Sequence, residues 1–75
     1  MKQTHRLTAL IEREDDMYVA LCPELDIARQ GATVEEATAN LREALTLFFE
    51  TADAAEVVSR LRSEVFVTSV EVAVG

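Results

Sequence analysis

The stretch Tyr18-Val-Ala-Leu-Cys-Pro-Glu-Leu-Asp-Ile-Ala-Arg-Gln-Gly31-Ala-Thr33-Val-Glu-Glu36-Ala-Thr-Ala-Asn40-Leu-Arg-Glu-Ala-Leu45 decides how the rest of the chain folds. Met17 to Cys22 is apolar on both faces, which marks a central strand. Pro23 has no amide to give a sheet ladder and ends it. Glu24-Leu25-Asp26 turns the chain, and Ile27 to Gln30 is short enough for an edge strand. Gly31 is expected in a backbone conformation that a side chain would resist. Thr33-Val34-Glu35-Glu36 is a capping box: the Thr33 hydroxyl accepts from the Glu36 amide, and the Glu36 carboxylate reaches back to the Thr33 amide. Val34, Ala37, Leu41, Ala44, Leu45 and Phe48 follow at three- and four-residue spacing, one apolar stripe on a helix.

Upstream, Leu7, Ala9 and Ile11 alternate through residues 5–13 as a half-buried strand requires, and Glu14-Asp15-Asp16 supplies a hairpin turn. Downstream, Val57, Val58 and Leu61 lie at helical spacing behind Asp53, a candidate cap, so a short second helix is expected at about residues 54–62. Residues 65–74 are β-branched and alternating, the clearest strand pattern of the chain, with Phe66, Val70, Val72 and Val74 expected to face the core. The order is β-β-β-α-(α)-β. A right-handed helical crossover sets the last strand beside the first, giving an α+β fold with a four-stranded mixed sheet of order 3-2-1-4 and helix on one face. Both edges stay open, and an apolar C-terminal edge strand (Val67, Val70, Val72, Val74) invites pairing with another copy as a dimer or tetramer.

The 75 residues make one domain, 1–75, that buries only about 60% of its unfolded surface and gains from association. One cysteine excludes an internal disulfide and suits a reducing cytoplasm. No signal-peptide core and no membrane-spanning apolar run are present, so no membrane partner is expected. Acidic residues number 14 against 7 basic ones, a formal charge of −7. That sign opposes phosphate contacts, and the basic residues are dispersed, so direct nucleic-acid binding is not expected. A basic protein partner fits the charge, as does a merely solvated surface.

Little here points to catalysis. Cys22 and His5 are the one nucleophile–base pair, and a lone Cys in an apolar run is more often a small buried hydrophobe. Asp15-Asp16 and Glu24/Asp26 are explained as turns without a metal. No zinc ligand set and no Gly-rich phosphate loop exist. Phe48-Phe49 reads as helix packing before a base-stacking platform. No enzyme activity, metal or cofactor is expected.

Tyr18, Ala20, Pro23-Glu24-Leu25, Gly31, Thr33, Glu35-Glu36-Ala37, Asn40 and Glu43-Ala44-Leu45, in that order and spacing, resemble the HicB-like antitoxin family over residues 5–50. The resemblance implies a partial ribonuclease H-like β-β-β-α-β fold. It implies a binding module that neutralises a small, basic HicA-like ribonuclease toxin by contact rather than by catalysis. The partner contacts are expected around Tyr18, Cys22, Pro23, Glu24, Leu25 and Asp26. Two departures stand out. Typical members continue into a DNA-binding domain that represses their operon, whereas this chain ends in a strand at Gly75, so repression is not expected of it. Many members also carry a glycine in the turn where this chain has Leu25-Asp26-Ile27. The alternatives are a stand-alone homo-oligomer of structural or regulatory role, and a remnant magnesium nuclease built on Asp15 or Asp26.

Overall fold

A computed structural model describes residues 4–75. Three strands, β1 (Leu10–Glu14), β2 (Met17–Cys22) and β3 (Ile27–Gly31), form an antiparallel sheet of order β1-β2-β3. Two helices follow, α1 (Val34–Thr51) and α2 (Ala54–Leu61). Glu14 pairs with Met17, so Asp15-Asp16 is a two-residue hairpin loop, and Asp15 takes φ 55° in the left-handed region that short polar side chains tolerate.

Register sorts the sheet into two faces, because directly paired residues point the same way. Ala20 lies between Ile11 and Arg29, Tyr18 between Arg13 and Gly31, and Cys22 opposite Ile27, all on the face that α1 covers. Leu21 lies between Leu10 and Ala28, Val19 between Glu12 and Gln30, and Met17 opposite Glu14, on the outer face. Ala20, Cys22, Leu25 and Ala37 are 0% exposed and Leu41 1%, and these five form the core. Tyr18, Ile27, Leu45, Phe48, Phe49 and Leu61 pack around it.

Helix α1 starts as its sequence requires. The Glu36 amide donates to Thr33 Oγ1 at 3.0 Å, but the Glu36 carboxylate reaches one residue further back than expected, accepting from the Ala32 amide at 3.0 Å. Asp53 caps α2 in the same way, accepting from the Glu56 amide at 2.8 Å. Gly31 is the right residue for a different reason than expected. Its φ is not positive. A Cβ built there would lie 2.5 Å from the Ala37 amide nitrogen, so glycine is needed because β3 presses against the first turn of α1. The Asn40 side-chain amide ties the same seam, donating to the Gln30 carbonyl at 2.9 Å.

Three expectations are corrected. The first strand begins at Leu10 rather than near His5, because its partner β2 ends at Cys22 and Pro23 cannot extend the ladder. Val34, placed on the apolar stripe, is exposed in the first turn of α1. The expected fourth strand is not formed: residues 63–75 belong to no sheet, and Phe66, Val70, Val72 and Val74 are 84%, 78%, 77% and 91% exposed instead of facing the core. Their projection from the body shows in the dimensions. The molecule measures 53 × 28 × 18 Å and its radius of gyration is 14.8 Å, against about 11 Å for a compact chain of this length.

Candidate interaction surface

Pro23 interrupts the β2–β3 connection, so that turn is held by side chains rather than by a ladder. Thr8 donates to the Glu24 carboxylate twice over, from its hydroxyl at 2.7 Å and from its amide at 3.0 Å. The Cys22 thiol donates to Glu24 Oε1 at 3.5 Å. From the other side, Arg60 on α2 donates to the Leu25 carbonyl at 2.7 Å and stays paired with Glu56 at 3.6 Å. One turn thus collects the segment before β1 and the second helix. Burial alone would raise the Glu24 pKa, but the bonds from Thr8, the backbone and Cys22 outweigh it and hold the carboxyl below its ordinary range. Burial pushes the Cys22 thiol up, and the neighbouring Glu24 adds to this against two backbone bonds.

The structure divides the residues expected to touch a partner. Cys22 and Leu25 are completely buried, so they shape the turn from inside and present nothing at the surface. Tyr18 is half-buried against the core, and Pro23 and Glu24 are half-buried in the turn. Asp26 alone is exposed, at φ 54°, a conformation in which glycine is at ease. Val67, Val70, Val72 and Val74, the residues expected to self-associate, lie together on the projecting tail.

Asp15 and Asp26 sit in the turns at opposite ends of β2, about 20 Å apart along a six-residue strand. Among the described residues no group of three His, Cys, Asp or Glu side chains is placed to hold a metal ion. His5 stacks on Phe49 with ring centroids 4.6 Å apart, while the Cys22 thiol is engaged with Glu24. Phe48 meets Phe49 edge to face at 5.5 Å and carries the Arg60 guanidinium over its ring at 5.9 Å, so both aromatics serve helix packing.

Three surfaces remain for a partner. The first is the outer face of the sheet, where Met17, Val19 and Leu21 of β2 and Leu10 of β1 form an apolar strip bordered by Glu12 and Glu14. The second is an open groove of about 610 Å³ between residues 4–9 and α1, floored by Leu7, Ala9, Leu41, Leu45 and Phe49. The third is the tail. Sequence reasoning missed the groove, because helix α1 packs mainly over β3 and β2 and leaves the inner side of β1 bare. Only the half-exposed alternation of Leu7, Ala9 and Ile11 hinted at it. No described helix is long and apolar enough to cross a membrane.

No family model matches the chain, and no solved structure does. Its relatives are UPF0150 proteins. One, from Synechocystis sp., is 50% identical over 46 residues, covering 59% of this chain and 64% of the relative. Another from the same organism is 45% identical over 51 residues, covering 65% of each. The chain therefore spans a little under two thirds of the relatives it matches.

Proposed function

We propose that the chain is a non-catalytic binding module of the antitoxin type, which silences a small basic ribonuclease by covering it. The outer face of the sheet carries the reading. An apolar strip of Met17, Val19 and Leu21 flanked by Glu12 and Glu14 suits a partner with an apolar centre and a basic rim. Thirteen of the 14 acidic side chains are exposed, Glu24 being the half-buried one, and a single ion pair, Arg60–Glu56, is formed among the described residues. That leaves a negative field to steer such a partner. The HicB-like resemblance supplies the toxin class. It also implies a partial ribonuclease H-like fold, with which a three-stranded antiparallel sheet covered by α1 is compatible.

The test is a calorimetric titration with a HicA-like ribonuclease and an assay of RNA cleavage at rising antitoxin concentration. Saturable one-to-one binding that stops cleavage, lost in Val19→Arg/Leu21→Arg, supports the reading. No heat and undiminished cleavage at stoichiometric excess contradict it. A second reading, a self-assembling protein with no toxin partner, draws on the exposed tail and predicts that null result together with a dimer or tetramer.

A further inference from the structure

We infer that the C-terminal tail is a strand donated to a second copy of this chain, lying along residues 4–14 of the partner and covering the partner's groove beside α1. The inference is independent of what the outer sheet face binds.

Each half of this contact is visible and incomplete in one copy. The tail alternates from Ser69 on: Val70, Val72 and Val74 share one side with Phe66 and Thr68, and Ser69, Glu71 and Ala73 share the other with Val67. One side is thus built for burial and the other for a more polar surface, yet both stand in solvent. The groove is the opposite case, an apolar floor of Leu7, Ala9, Leu41, Leu45 and Phe49 with nothing over it. Beside it β1 offers an unpaired edge, since β1 bonds only to β2. The lengths match. The ten residues 66–75 span about 33 Å as a strand, and the eleven residues 4–14, of which β1 is the last five, reach at most about 36 Å.

The tail cannot fill the groove of its own copy without reversing. Ser63 to Phe66 pass alongside Arg6, Leu7 and Glu24 and then leave the body. Folding back requires a tight turn just beyond, but Ser63 to Val74 contains no Gly, Pro, Asn or Asp, and its β-branched residues hold the backbone extended. A second copy needs no reversal. Each copy has one tail and one groove, so two copies related by a twofold axis satisfy both at once and close the assembly. Edge pairing supplies main-chain bonds, and Phe66, Val70 and Val72 supply burial.

Light scattering on the full chain tests this, with Val70→Asp/Val72→Asp as the variant. Both positions are exposed in the single copy, so the substitution leaves the body folded, and circular dichroism checks that. The wild type is expected at twice 8.3 kDa. The variant is expected at half the wild-type mass, its dimer dissociation constant raised more than ~100-fold because each substitution counts twice in a twofold contact. A tagged wild-type chain is also expected to retain the variant, whose groove is intact. A monomeric wild type at tens of micromolar, or a variant that stays dimeric, overturns the proposal. So does a folded variant that tagged wild type fails to retain, because that outcome means tail pairs with tail.

Discussion

Strand β2 and the C-terminal tail are made of the same kind of residue and meet opposite fates. Ala20 and Cys22 in β2 are wholly buried, whereas Phe66 and Val74 in the tail are among the most exposed residues of the molecule. The tail even has the stronger intrinsic β preference, with valine at five positions of 65–74. What differs is the neighbourhood. β2 has a strand on each side and α1 over one face, so its backbone bonds and its side chains are satisfied together. The tail has neither in its own copy. Strand propensity is a fit to a pleated, half-buried surface, and without that surface it produces no strand.

Substitutions that sharpen this contrast should fall in a clear order. The largest effect is expected for Leu41→Ala, which empties the centre of the core and costs about 2–5 kcal/mol, enough to unfold much of so small a domain; urea denaturation followed by circular dichroism reads it. Gly31→Ala comes next. Its new Cβ meets the backbone of α1, which can shift only with β3, and the expected cost is about 1–3 kcal/mol by the same assay. If Gly31→Ala were neutral, the close seam between β3 and α1 would be wrong.

Glu24→Gln is expected to cost about 1 kcal/mol at neutral pH and to change how stability follows acidity. The Glu24 pKa is lowered on folding, so its contribution is present above the unfolded value of about 4.3 and is lost as pH falls through the folded value. Denaturation midpoints measured from neutral pH down to about 3 should therefore fall more steeply in the wild type than in Glu24→Gln, and the two curves should converge at the acid end. Parallel curves would show that Glu24 does not hold the turn. The smallest effect is expected for Val72→Asp under dilution that keeps the chain monomeric, within about 0.5 kcal/mol of wild type.

Much of this architecture was legible because its signals are local. Thr33 with Glu36, Asp53 before α2, and Pro23 after Cys22 each act on atoms within a few residues, and each does so in the structure. Gly31 was legible as special but not as to cause, since the approach of Ala37 is a property of packing that no local pattern encodes. The interaction surface was the least legible. Cys22 and Leu25 sit inside the very turn that looked like a contact loop, because Glu24, Thr8 and Arg60 pull it against the body. The placement of the tail depends on a partner surface, which a single chain's periodicity describes only as a demand to be covered.

Hydrogen exchange at two protein concentrations tests the contrast between β2 and the tail most directly. Amides of Val19 to Leu21 should be protected whether the protein is dilute or concentrated. Amides of Val67 to Val74 should exchange freely when dilute and gain protection in step with the rise in mass on concentration. Tail amides protected while the mass is that of a monomer would mean that the tail closes on its own body, and tail amides free at both concentrations would mean that no copy takes it up; either result contradicts the account.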